Sequence, residues 1–220
     1  MNRDKRIYKE KKIWDRLARR YDKQISIFND AYELTTNKAK NILREDDNIL
    51  EIACGTGIVS FGIADAVKKV TAIDISKEMI DVAKEKAKKM NVENIEFQVA
   101  DGYNLQYEDN SFDTILLFNT LHIVKEPDTL LNEIYRLLKP NGYLLTVTDC
   151  YSEPVKIKTR LMLNVQKLVR ILGIIPYLSY YRKENVDNYI LKHNFKIMER
   201  YILNKEPVNY YVSAIKNKNL

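Results

Sequence analysis

The sequence predicts an α/β fold: a doubly wound, mostly parallel sheet with helices on both faces. Three observations carry that expectation. Short apolar runs alternate with helix-length amphipathic stretches between residues 49 and 148, the pattern of consecutive βαβ units. The stretch from Asn48 to Ser60 reads Asn-Ile-Leu-Glu-Ile-Ala-Cys-Gly-Thr-Gly-Ile-Val-Ser: an apolar strand closed by an acidic residue, a tight glycine turn and a helix start. The run from Val70 to Asp74 repeats the theme of a short apolar strand ending in a carboxylate.

Each element follows from its local pattern. Ile7, Ile13, Trp14, Leu17, Ala18 and Tyr21 recur at helical spacing, so an amphipathic helix with a basic outer face is expected over residues 5–24. A second helix is expected over 30–44. Strand one covers 49–53, a helix 59–66 and strand two 70–73. Ser76 is placed to cap the next helix, with Lys77, Glu78, Met79, Val82 and Ala83 behind it. Strand three is 95–99. Strand four, 114–118, is nearly all apolar and therefore central. A helix over 127–138 ends in the turn Lys139-Pro140-Asn141-Gly142, and strand five covers 143–148. A long basic helix is expected over 155–175, broken by 176–181. A helix over 185–193 precedes two alternating stretches, 195–203 and 209–215, suited to an antiparallel pair that closes the sheet.

The chain is 220 residues long with 45% apolar residues, enough for one domain with a packed core. The expected organisation is a single domain over 1–220. It comprises an N-terminal helical cover (1–45), a cofactor-binding core (46–150), a substrate cover (151–184), and a C-terminal helix and strands (185–220). Two cysteines, Cys54 and Cys150, are too few for a disulfide framework and fit a reducing compartment. Residues 1–12 are mostly charged, unlike a secretory signal, and no apolar run reaches bilayer length. A cytoplasmic location is expected.

Charge is unevenly placed. Residues 1–24 carry ten basic and four acidic side chains, 25–149 carry 13 and 21, and 150–220 carry 13 and five. An acidic centre lies between two basic ends, which hints at an anionic partner. For residues 1–12 the plainer reading, a solvated lysine-rich face, is preferred.

The strand ends carry the chemistry. Gly55 and Gly57 allow a sharp turn and close approach of backbone to a ligand. A dinucleotide loop would read Gly-x-Gly-x-x-Gly, but here Ala53 stands first and Ser60 last, which weakens a pyrophosphate reading. Asp74 stands where a carboxylate accepts hydrogen bonds from ribose hydroxyls. Asp101-Gly102 follows strand three, where a carboxylate can meet an adenine amino group. Asn119 ends strand four at the same carboxyl edge of the sheet. Each has a plain structural alternative; four strand ends with suitable groups together point to an adenosine-type cofactor.

In order and spacing, Ile-Leu-Glu-Ile-Ala-Cys-Gly-Thr-Gly and Ala-Ile-Asp-Ile-Ser-Lys-Glu-Met-Ile resemble class I S-adenosylmethionine-dependent methyltransferases. Glu-Asp-Asn-Ser-Phe-Asp at 108–113, Leu-Leu-Phe-Asn-Thr-Leu-His at 116–122 and Leu-Leu-Lys-Pro-Asn-Gly-Tyr-Leu-Leu at 137–145 continue the resemblance. The opening Trp-Asp-Arg-Leu-Ala-Arg-Arg-Tyr-Asp at 14–22 resembles the ubiquinone/menaquinone-methyltransferase-like branch. The resemblance implies a seven-stranded sheet with an antiparallel strand, S-adenosyl-L-methionine as cofactor, no metal, and a set of site residues. Glu51 and the backbone of Ala53, Cys54, Gly55, Thr56 and Gly57 would line the methionine part. Asp74 would hold the ribose hydroxyls, with Ile75 and Met79 against adenine. Asp101, with Gly102 beside it, would meet the adenine amino group, and Asn119 would lie near the sulfonium. Tyr21 is a candidate to close over the methyl group, its plainer reading being a staple of the N-terminal helix to the core.

The implied reaction is in-line displacement, for which the protein mainly aligns the acceptor and excludes water. If the acceptor must lose a proton, His122 is the candidate base, although a packing histidine is the preferred reading of it. Asp149 and Tyr151 are expected at the same cleft, and His193 at a helix end. No Asn/Asp-Pro-Pro-Tyr run follows strand four and no Pro-Cys nucleophile is present. Nucleic acid is therefore a disfavoured substrate and a small molecule the default.

Leu161, Leu163, Val165, Leu168, Val169, Leu172 and Ile175, with Lys156, Lys158, Arg160, Lys167 and Arg170 around them, make 155–175 suited to cover a lipophilic or aromatic acceptor or to touch an anionic membrane. A core-facing helix with a lysine-rich back is the preferred plainer reading. Two rivals to an S-adenosylmethionine enzyme are a non-catalytic relative that binds membrane or RNA through its basic ends, and a nicotinamide-dependent oxidoreductase.

Overall fold

The computed structural model describes residues 3–171 and 175–217. Leu172 of the apolar set above lies outside them. Seven strands form one sheet in the order β3-β2-β1-β4-β5-β7-β6. They are β1 (Asn48–Ile52), β2 (Lys69–Asp74), β3 (Ile95–Val99), β4 (Phe112–Phe118), β5 (Leu138–Cys150), β6 (Phe195–Lys205) and β7 (Val208–Lys216). The first five run parallel. β7 enters antiparallel to both β5 and β6, so the expected C-terminal pair closes the sheet.

The central strands β1, β2, β4 and β5 are buried on both faces, as parallel strands under helices must be. Along β4, Ile115 and Leu117 face one core and Leu116 and Phe118 the other. On the first side lie α5 (Pro127–Leu137) and α7 (Lys183–Lys192). On the second lie α2 (Asn29–Lys40), α3 (Ile58–Ile63) and α4 (Lys77–Met90). The N-terminal helix α1 (Arg3–Ile25) runs across α4. Ser76 caps α4 as expected, its hydroxyl accepting the Met79 N–H at 3.2 Å.

Three expectations change. The turn at 139–142 is absorbed into β5, which pairs Leu138 with Phe112 and then resumes at Tyr143 opposite Thr114. Pro140 cannot donate to a ladder, and Asn141 sits at φ 64°, so the four residues bulge out within the strand. The second helix stops at Lys40 rather than 44. The long helix α6 spans Ile157–Ile171, but it does not turn its apolar residues inward. Leu163 is buried, while Leu161, Met162, Val165 and Leu168 are 54–66% exposed. Among the described residues, no helix is long and apolar enough to cross a membrane.

Candidate functional site

Strand order reverses beside β1, which has β2 on one side and β4 on the other. Ligands of open parallel sheets bind at the carboxyl ends of strands around such a switch point. A cavity opens there, floored by the ends of the first four strands and roofed by Glu10, Trp14 and Tyr21 of α1.

The turn after β1 is held from its neighbour. Asp74, at the end of β2, accepts the Gly55 N–H on Oδ2 at 2.9 Å and the Ser76 N–H on Oδ1 at 2.8 Å. Gly55 has φ 55° and Ala53 φ 59°. The first is a conformation natural to glycine, the second a strained one for alanine. Glu51 points into the cavity from β1 and accepts a very short hydrogen bond from the Ser60 hydroxyl. Burial pushes the Glu51 carboxyl up to about 7, against the pull of Ser60. It pushes Asp74 up to about 6, against the two backbone N–H donors.

Among the described residues, four carboxylates line this cavity, on Glu10, Glu51, Asp74 and Asp101, and no lysine, arginine or histidine does. Such a lining suits a cation that also carries hydroxyl and amino donors. It offers nothing to neutralise a pyrophosphate, so the nicotinamide alternative finds no support.

Twelve sequence-predicted residues come together here: Tyr21, Glu51, Ala53, Cys54, Gly55, Thr56, Asp74, Ile75, Met79, Asp101, Gly102 and Asn119. Gly57 does not line the cavity. A Cβ there would stand 2.8 Å from the Phe97 ring, so its role is packing beneath the turn. Gly102 has a similar cause, since a Cβ would meet Ile52 at 2.8 Å.

His122 also lies outside the lining. After Asn119, at φ 51°, the chain makes a 3-10 turn that buries the imidazole. Its Nδ1 accepts the Asp149 N–H at 3.3 Å, and Nε2 lies 3.7 Å from Asp149 Oδ2. Burial lowers its pKa, Asp149 opposing. The packing reading of His122 fits this position.

Asp149 and Tyr151 stand one layer away. The Tyr151 hydroxyl donates to Asp149 at 2.8 Å, and Asn209 Nδ2 bridges Asp149 Oδ1 at 2.7 Å and Asn119 Oδ1 at 3.0 Å. His193 ends α7, its Nδ1 2.7 Å from the Tyr189 carbonyl.

Sequence reasoning missed Glu10, Tyr32 and Tyr103 as lining residues. Tyr32 comes from α2 and is paired with Tyr21 and Asn119. Burial, then the adjacent Tyr32 phenol, pushes Tyr21 well up, so at neutral pH Tyr21 is a proton-bearing donor. Tyr32 fell in a stretch expected only to be helical, and nothing local tells a core tyrosine from a cavity one.

The methyltransferase-domain family matches residues 50–146. The demethylmenaquinone methyltransferase of Oceanobacillus iheyensis is 27% identical over 175 residues, covering 76% of this chain and 73% of that one. That of Lactococcus lactis subsp. lactis is 30% identical over 169 residues, covering 73% of this chain and 66% of its own length. Among solved structures, a putative methyltransferase in complex with a methyltransferase activator from Haloferax volcanii superposes with TM-score 0.76. It is 16% identical, with 96% of this chain and 99% of that chain covered, a likeness of fold.

Fold, motifs and family together define a class I S-adenosylmethionine-dependent methyltransferase. Within that class the relatives it is similar to are demethylmenaquinone methyltransferases. Its cofactor is S-adenosylmethionine and its acceptor a small molecule.

Proposed function

We propose that this enzyme methylates a lipophilic or aromatic small molecule, taken up at a membrane surface that α6 touches. The observation that carries the acceptor class is α6 itself, a helix whose apolar face is left to solvent. The relatives named for an isoprenoid quinone precursor agree with it. The two free, buried thiols, Cys54 and Cys150, agree with a reducing, cytoplasmic setting.

The cofactor supplies an activated methyl group on a positively charged sulfur. The chain's own residues bind, orient and exclude water. Asp74 would hold the ribose hydroxyls, Asp101 the adenine amino group, and Ile75 and Met79 the adenine faces. Glu51 and the turn from Ala53 to Thr56 would hold the methionine end. Trp14 and Tyr21 roof the cavity against water, and Tyr21 is held there by its hydrogen bond to Tyr32. His122 serves by fixing Asp149 through its ring, with the Asp149–Asn209 pair in turn orienting Asn119.

The test is calorimetric titration with S-adenosylmethionine, S-adenosylhomocysteine and NAD. Micromolar binding of the first two, no binding of NAD, and loss of binding in Asp74→Ala are expected. A folded wild-type protein that binds none of them, or NAD alone, sinks the assignment. An acceptor screen then compares naphthoquinols and phenols with polar acceptors; turnover of polar acceptors alone removes the lipophilic reading.

A further inference from the structure

A basic and aromatic cluster stands beside the acidic cavity. The two meet at Glu10, which lines the cavity and lies 3.1 Å from Lys125 Nζ. Lys125 Nζ is 5.3 Å from the centre of the Tyr177 ring, and Lys167 Nζ 4.7 Å from that of Tyr180. The Arg170 guanidinium is 5.9 Å from both rings. Three cations share two tyrosines, and Glu10 is the only carboxylate paired with any of them among the described residues.

Besides Glu10 Oε1, which faces Lys125, three buried polar atoms in the same place have no hydrogen-bond partner among the described residues: Arg170 Nε, the Tyr180 hydroxyl and Gln166 Oε1. Buried polar groups are almost always paired, and an orphan calls for an explanation such as a ligand. Here the orphans are a guanidinium N–H, a phenol and an amide oxygen. The first two are donors suited to an oxyanion; the third accepts from a hydroxyl.

We propose that this cluster recognises an anionic group, a carboxylate or a phosphate ester, on the methyl acceptor. The inference rests on the acceptor being a lipophilic or aromatic small molecule, and it adds where such a molecule carries its charge. The electrostatics also give it a direction. The carboxylate-lined cavity repels an anion, whereas the cluster beside it attracts one. An acceptor with one charged end is therefore held with that end at Arg170 and its neutral end toward the cofactor. Tyr177 and Tyr180 offer ring faces on which an aromatic body can stack.

The experiment compares 2-naphthoate, 2-naphthyl phosphate and the uncharged 2-naphthamide by titration into the full chain saturated with S-adenosylhomocysteine. At least one anion is expected to bind tenfold or more tightly than the amide. That preference should shrink with added salt and vanish in Arg170→Gln and Lys167→Gln. Lys158→Gln, on the outer face of α6, should keep it. Unchanged S-adenosylhomocysteine affinity in each variant shows that it folds. Equal binding of anions and amide overturns the proposal, as does a preference that survives Arg170→Gln. Arg170-dependent binding to anionic vesicles, with no binding of either naphthalene anion, overturns it too and assigns the cluster to lipid. Failure of S-adenosylhomocysteine itself to bind is a separate result that counts against the assignment of the cofactor.

Discussion

Ala53 carries a local cost that its neighbours do not. Its φ of 59° is left-handed, which costs a residue with a Cβ roughly 1–2 kcal/mol. Glycine would remove that cost but lose more backbone entropy on folding, about 0.5–1 kcal/mol. Ala53→Gly should therefore stabilise the protein by roughly 0.5–1 kcal/mol, about 1–4 °C in the melting temperature. A lower melting temperature would show that the turn does not need the left-handed conformation. The two raised carboxylates make a second prediction. With Glu51 at about 7 and Asp74 at about 6, both above their ordinary values, the native state holds more protons than the unfolded one between about pH 4 and 7. Their contribution to stability is full below the unfolded values and is lost as pH rises through 6 to 7. A ligand that is cationic and donates hydroxyl hydrogen bonds prefers the ionised pair. Affinity for S-adenosylmethionine should fall as pH drops below about 6. Binding near pH 6.5 should release protons, read from calorimetry in buffers of different ionisation enthalpy. Binding without proton release would remove the pair from the site.

Among the elements, α1 is the one whose attachment decides whether the cavity has a roof. Asp15 accepts the Ser76 hydroxyl at 2.6 Å and the Glu78 N–H at 3.3 Å, so a side chain of α1 completes the cap of α4. Asp22 accepts a short bond from Thr56 and pairs with Lys86 at 2.9 Å. Asp15→Ala should cost about 1 kcal/mol, the usual worth of a helix cap. It should also speed hydrogen exchange in α1 and weaken S-adenosylhomocysteine binding several-fold, because Trp14 and Tyr21 sit on the same helix. Wild-type exchange in the variant would mean that α1 is held by its apolar contacts alone. The elements were largely legible in the sequence because most of them obey a single period. β3 fell at its expected residues, 95–99, and Ser76 announced α4. Two things were not legible. The bulge at 139–142 has the composition of a turn, and only the pairing of Leu138 with Phe112 makes it part of a strand. Helical spacing says that Leu161, Val165 and Leu168 share a face, but not whether that face meets a core. The site was legible at the strand ends, where one residue type serves one position. It was not legible at Tyr32, which reaches the cavity from another element.

Across the whole molecule, charge and apolar surface divide the labour. The acidic middle of the sequence supplies three of the cavity's four carboxylates, Glu10 of α1 supplies the fourth, and no basic side chain among the described residues lines it. On α6 the exposed Leu161, Met162, Val165 and Leu168 stand beside Lys158 and Arg160, for which no carboxylate partner occurs among the described residues. An apolar face with basic flanks lies in the interface of an anionic bilayer, where each Lys or Arg contributes about 1 kcal/mol. The protein should therefore float with vesicles containing phosphatidylserine or phosphatidylglycerol and less with neutral ones. Added salt should weaken but not abolish the association, because the apolar face is insensitive to screening. Leu161→Asp combined with Val165→Asp should end flotation while leaving S-adenosylhomocysteine affinity unchanged, since neither residue lines the cavity. A double variant that still floats would place the contact elsewhere, on the basic N-terminal helix. A wild type that never floats would mean that the acceptor reaches this enzyme from solution and that the exposed face of α6 has another partner.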